Sequence, residues 1–304
     1  MEKMNVTILG CGSALPTKQN FPSCQLLKMH ERLYMLDCGE GAQIRMQQMG
    51  IKTARLDHIF ISHLHGDHCF GLIGLLSSLN LLHRTNDLHI HALPELEIIL
   101  KPQLDFFCSG FDYKIIFNNI NPKKNELIFE NKSLQVTTIP LKHRVPSCGF
   151  LFREKERERH IKRDMIDFYQ VPVRDIARIK KGEDFRAADG NVIANHLLTN
   201  DSTPAKSYAY CSDTAYYEKI IPIIENVDCL YHEATFAESE SARAKETTHS
   251  TARQAATIAK LASVKQLILG HFSSRYTDHQ IILNEAQSVF PNAILAEDRK
   301  KIYF

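Results

Sequence analysis

Short apolar runs recur along this chain, interleaved with stretches whose apolar residues repeat every three to four positions. The runs predict strands and the longer repeats predict helices. Residues 5–9 read as a strand ending at Gly10-Cys11-Gly12-Ser13, a tight glycine turn. A dinucleotide fingerprint needs a third glycine and a following helix, and neither is present. Residues 24–29 and 33–36 predict a hairpin pair, and residues 42–49 a helix closed by Gly50. A strand over 56–62, an apolar helix over 72–82, a strand over 88–92 and a helix over 93–107 follow. Further strands are predicted over 115–117, 127–129 and 134–140, then over 208–211, 229–235 and 266–269. Thr251 and Gln254 have the spacing of a capping box and open a helix running to about Ala262. Strands alternating with helices across short turns predict an α/β layered domain.

Residues 153–195 break this pattern. Arg153-Glu154-Lys155-Glu156-Arg157-Glu158-Arg159 is a run of charges, and between Arg153 and Lys181 ten Lys/Arg face six Asp/Glu, an excess of four. Two readings fit: a solvated helix laced with ion pairs, or a protruding basic arm.

Composition narrows the class. With 304 residues and 44% apolar residues the chain can bury a sizeable core, and its formal charge of +2 carries no global field for a polyanion, although a local basic patch would suffice. The eight cysteines are scattered, without a Cys-x-x-Cys pair, as reduced buried thiols are. Met1-Glu2-Lys3 lead into the first strand without an apolar signal core, and no stretch approaches membrane-spanning length. The expected location is cytoplasmic.

The densest chemistry is His63-Leu64-His65-Gly66-Asp67-His68, at the end of the apolar run Ile59-Phe60-Ile61. Imidazole and carboxylate suit zinc, manganese or iron. Alternation puts the His63 and His65 rings on one side of a chain leaving a strand, while Asp67 and His68 turn back from the next helix, so one loop can serve two neighbouring metals. Three more strand tips carry such groups: His143 after 136–141, Asp213 after 208–211 and His271 after 267–269. Ligands gather beyond strand ends in α/β folds, so these tips can converge.

This ligand order resembles that of the metallo-β-lactamase fold, an αββα sandwich. Nearly end to end the chain also resembles ribonuclease Z of the short, one-domain form. Gly10-Cys11-Gly12-Ser13, Pro16-Thr17-Lys18, Asp37-Cys38-Gly39-Glu40-Gly41, His232-Glu233-Ala234-Thr235, His249-Ser250-Thr251 and His271-Phe272-Ser273-Ser274-Arg275 carry that likeness. The resemblance implies one domain over 1–304, with an inserted tRNA-binding arm over 153–195. It implies two Zn²⁺ per chain, one on His63, His65 and His143, the other on Asp67, His68 and His271, with Asp213 bridging. It implies a zinc-dependent endoribonuclease that removes the 3′ trailer from precursor tRNA, leaving a 3′-hydroxyl on the tRNA and a 5′-phosphate on the trailer. Asp67 resembles the general base and His249 the acid for the leaving oxygen, with Glu233 as candidate partner, since the family's usual acidic partner is replaced by Tyr208-Ala209-Tyr210. Arg275, Lys180 and Lys181 are the expected substrate contacts, and a homodimer is the expected assembly. The arm's usual Gly-Pro motif is replaced by Val171-Pro172-Val173-Arg174, and Gln19 stands where the family tends to have Arg. The alternatives are another phosphodiesterase of the fold acting on a small substrate, or a metal-free RNA-binding scaffold, which should lack a ligand. A diiron redox relative would carry Glu at position 65.

Overall fold

The computed structural model describes residues 4–108 and 110–304. Met1–Lys3, read above as the polar lead into the first strand, lie outside the described residues. The backbone falls into two compact units. One comprises the chain up to Phe129 with Val136–Phe152 and Ser207–Phe304; the other comprises Glu130–Gln135 and Arg153–Lys206.

The first unit is built on two seven-stranded sheets. In one, the order is Lys301–Tyr303, Asn5–Gly10, Cys24–Met29, Arg32–Leu36, Leu56–Phe60, Leu88–Ala92 and Ile115–Asn119. Its first four strands pair antiparallel and its last four parallel. The hairpin Cys24–Met29/Arg32–Leu36 is the one predicted. In the other sheet, Ser207–Cys211, Cys229–Glu233, Gln266–Gly270 and Ala293–Leu295 run parallel, so their C-terminal ends share one edge.

Each sheet has a helical face and a face turned to the other sheet. Leu26, Met35, Ile59 and Ile90 pack with Leu72, Leu75, Leu76 and Leu79 of the helix Gly71–Leu81 and with Leu96, Leu100 and Leu104 of the helix Glu95–Phe107. On the other face Phe60 meets Phe150 and Phe152 at 5.4 and 5.2 Å between ring centroids, edge-on or tilted as aromatic quadrupoles favour. The helix Ala252–Leu261, opened by the Thr251/Gln254 capping box, buries Ala255, Ile258 and Ala259. The result is the αββα layering of the metallo-β-lactamase fold.

Elements without a counterpart in the sequence reading include the strands Cys148–Glu154, Ala293–Leu295 and Lys301–Tyr303 and the helices Ser241–Thr247 and Gln280–Gln287. The strand Cys148–Glu154 is buried at six of its seven positions, so it lacks the apolar–polar alternation that marks a half-exposed strand.

The second unit has its own small core of Ile166, Val171, Ile179, Phe185, Ile193 and Leu198. Its helices are Arg163–Phe168, Val173–Lys180 and Asn195–Leu198. The charge run is not a helix, which corrects the first of the two readings. It leaves the strand Cys148–Glu154 and continues without helical structure to Arg159. Strict one-by-one alternation of charge suits extended chain, since a helix would place like charges on one face at i, i+4. Its charges are paired with nearby partners, Arg157 with Glu154, Glu158 with Lys180 and Arg159 with Asp201.

Candidate metal centre and its outer partners

All the predicted ligand side chains meet at one edge of the first unit. His63, His65, His143 and Asp213 form one group and Asp67, His68 and His271 another, with one donor atom per residue inside 4.8 Å of the others in its group. Asp213 faces both. Its Oδ2 lies 3.6 Å from His63 Nε2 and 3.7 Å from His143 Nε2, and its Oδ1 lies 3.2 Å from His68 Nε2 and 3.1 Å from His271 Nε2. Asp67 Oδ2 is 3.4 Å from His68 Nε2 and 3.5 Å from His271 Nε2, and accepts the Ala14 N–H at 2.8 Å.

The other ring nitrogen of four histidines is held from behind. His68 Nδ1 donates to Asp37 Oδ2 at 2.7 Å, His63 Nδ1 meets Ser62 Oγ at 3.0 Å, His271 Nδ1 meets Thr235 Oγ1 at 3.0 Å, and His143 Nδ1 donates to the Thr248 carbonyl at 3.0 Å. Such partners set which nitrogen is left to bind inward. Buried Asp37 also accepts from Ser62 N–H, Ser62 Oγ and Tyr210 Oη.

The donors fit metal ions. His68 Nε2 and His271 Nε2 are buried and lack a hydrogen-bond partner, an expensive state unless a cation takes the lone pair. His63 Nε2 and His65 Nδ1 approach to 2.9 Å, two nitrogens aimed at a shared point. Burial holds His63, His65 and His143 below the ordinary imidazole range, as neutral ligands require. Burial also opposes charge on His68, but Asp213, Asp37 and Asp67 outweigh it and raise its pKa, which marks a surplus of negative charge around that ring. Asp67, though burial opposes its charge, is held far below the carboxylate range by His68 and His271.

Beside this centre His249 Nδ1 lies 2.9 Å from Glu233 Oε1. Glu233 is fixed by the Thr214 and Ser250 N–H groups at 2.7 and 3.1 Å and by Thr235 Oγ1 at 2.5 Å. Burial opposes protonation of His249, yet the Glu233 carboxylate wins and pushes its pKa from 6.5 up to about 9. A raised value means that the protonated ring stabilises the fold fully below about pH 6.5, and that this stabilisation is lost as pH rises through about 9.

The remaining expected residues are not among these donors. Arg275 pairs with Glu240 at 3.0 Å and Lys180 with Glu158 at 2.8 Å, while Lys181 is exposed on the second unit. Arg144, passed over in the sequence because it merely follows His143, lines a cavity of about 470 Å³ together with Asp67, Asp213, His249 and His271. The anchor Asp37 was quoted above only as part of a motif. Ala14, Asp37, Thr248 and His271 all adopt left-handed backbone conformations, with φ of 57, 54, 58 and 58°. Such strain costs about 1–3 kcal/mol per residue and concentrates at functional sites.

Comparison with known proteins agrees with this geometry. Residues 4–165, just over half of the chain, fall within the family whose model is described as "Anti-Pycsar protein Apyc1". The chain is 56% identical over 99% of its length to "Ribonuclease Z" of Phocaeicola vulgatus, covering 98% of that protein. The chain belongs to the ribonuclease Z family. "Ribonuclease Z" of Bacteroides thetaiotaomicron is 55% identical over 98% of this chain and 94% of its own length. The ribonuclease Z alignment over 302 residues takes in Asp213, His249 and His271, which the match over 4–165 does not reach. Among solved structures, human tRNase Z, short form, superposes with a TM-score of 0.72 at 24% identity over 98% of both chains. The metallo-β-lactamase fold protein YhfI of Bacillus subtilis gives 0.68 at 20% identity over 100% of both. At these identities the likeness carries the fold alone.

Proposed function

We propose that the protein is an endoribonuclease that removes the 3′ trailer from precursor tRNA with two zinc ions, one on His63, His65 and His143, the other on Asp67, His68 and His271, bridged by Asp213. The observation that carries it is the division of the two Asp213 oxygens between two groups of inward-facing imidazoles, in a chain of the ribonuclease Z family. When bound, such a metal pair supplies a nucleophile at neutral pH and stabilises the attacking and leaving oxygens of an in-line displacement.

The chain's own groups do the rest. Asp67 Oδ2, ionised and anchored by the Ala14 N–H, takes the proton of the attacking water. His249, kept protonated by Glu233, gives its proton to the departing 3′ oxygen of the tRNA ribose, which would otherwise leave as an unstable alkoxide. The phosphorus–O3′ bond breaks, leaving a 3′-hydroxyl on the tRNA and a 5′-phosphate on the trailer. Arg144 at the cavity rim offers its guanidinium to a phosphate oxygen. The second unit, with Lys181 exposed, acts as the arm that grips the tRNA, by backbone and shape. The working assembly is a cytoplasmic homodimer. Eight free cysteines suit a reducing compartment, and no helix among the described residues is long and apolar enough to cross a membrane.

Turnover of precursor tRNA against bis-p-nitrophenyl phosphate tests the reading. A kcat/KM far higher on the RNA is expected; equal or better turnover of the diester would favour a small-substrate phosphodiesterase.

Glu233→Gln is expected to shift the alkaline limb of the kcat–pH profile to lower pH by about 1–3 units, since burial of His249 then acts unopposed. An alkaline limb that stays in place would remove His249 from the role of acid.

A further inference from the structure

We infer that the groove beside the catalytic cavity seats an unpaired nucleobase next to the scissile phosphodiester, with Phe70 as its stacking platform. This rests on the ribonuclease reading and names a subsite of it. Phe70 directly follows the metal loop, yet 70% of its surface is exposed. Its ring is not loose: a Cβ at Gly66 would fall 2.3 Å from it, so the ring lies directly against the backbone between His65 and Asp67. On the lining of the same cavity, the Phe21 ring sits against Gly41, where a Cβ would fall 2.6 Å away. Phe21 is held in turn by the Arg45 guanidinium, 3.8 Å from the ring centroid, and Arg45 is paired with Asp298 at 3.0 Å.

Two phenyl rings, each settled on a glycine, thus flank a cavity of about 380 Å³ that is completed by Pro16, Gln43, Ile44 and Ile73. Pro16, Glu40 and Phe70 line both this cavity and the one at the ligand cluster, so the two adjoin. That adjacency selects the occupant. A chain whose phosphodiester lies at the ligand cluster carries a neighbouring nucleotide within reach of Phe70. The apolar floor suits the face of a base, and the Gln43 amide and Glu40 carboxylate at the rim suit its polar edge. Stacking on an aromatic ring is tolerant of sequence because every base has a π-face. A single exposed ring in a polar setting would be unremarkable; a pinned ring shared by two adjoining cavities is a surface prepared for a flat ligand.

The test crosses protein variants with modified RNA. Wild type, Phe70→Ala, Phe70→Leu and Phe70→Trp would be assayed on precursor tRNA, intact or with one abasic residue at each position flanking the cut. Phe70→Ala and Phe70→Leu should lose about five- to a hundredfold in kcat/KM on intact RNA, while Phe70→Trp stays near wild type. An abasic residue at one flanking position should cost wild type a similar factor and cost Phe70→Ala almost nothing. Metal content per chain is measured alongside, and if Phe70→Ala loses metal, the Leu and Trp variants carry the comparison. If every abasic position costs the variants as much as wild type, or Leu performs as well as Phe, the groove belongs to another occupant and the inference fails. Wild type failing to cut intact precursor tRNA would instead defeat the ribonuclease reading, and the subsite with it.

Discussion

Asp213→Ala should reduce turnover of precursor tRNA to below about one-thousandth of wild type and lower the bound metal at both positions. Removing a single donor to a developing charge already costs about 10²–10³ in rate. Asp213 does more, because its two oxygens are shared between the two groups of imidazoles. Without it, four buried nitrogens on His63, His143, His68 and His271 face one another with less negative charge between them, and like-charged cations can no longer be held close together. Metal content by mass spectrometry and single-turnover cleavage together check this. Full metal content with normal rates would refute the assignment of Asp213 as a bridge.

Excision of residues 156–205, closed by a short glycine linker, should raise KM for precursor tRNA at least about tenfold and flatten its salt dependence by roughly 0.9 in log–log slope for each phosphate that the protein no longer neutralises, with far smaller effect on bis-p-nitrophenyl phosphate. The excision respects the structure. Glu154 N–H donates to the Lys206 carbonyl at 2.8 Å, so the ends to be joined already lie side by side, and the removed segment takes its whole core of Ile166, Val171, Ile179, Phe185, Ile193 and Leu198 with it. Removal of residues 155–195 alone would cut into the helix Asn195–Leu198 and leave Leu198 without its packing partners. Equal losses on both substrates would make the segment structural and end its role as an RNA-gripping arm.

Much of this protein could be read one residue at a time. The strand Gln266–Gly270 announces itself by the apolar run Leu267-Ile268-Leu269 and the strand Leu56–Phe60 by the run Ile59-Phe60-Ile61 at its end, and the capping box at Thr251 marks a helix start by spacing alone. The metal loop is legible for the same reason: its donors are neighbours in sequence, and imidazole with carboxylate has one common use at that density. By contrast Cys148–Glu154 is buried on both faces and carries no alternation, and the helices at Ser241 and Gln280 are short. The charge run left a helix open as one of two readings, because charge composition alone does not say whether its ions pair within one helix or with a separate segment, as Glu158 does with Lys180.

The sequence by itself determined the fold class, the ligand types and the strand tips that carry them, because these follow from neighbours a few positions apart. The grouping of the donors and the pairing of Glu233 with His249 were implied by the resemblance, whereas only the tertiary structure shows the contacts behind them and that Asp37 anchors His68 across 31 residues. It alone also decided that Phe70 stands exposed on a glycine and lines one cavity with Phe21. Those relations join segments distant in the chain, and they come from the close packing of two sheets, which no local periodicity encodes.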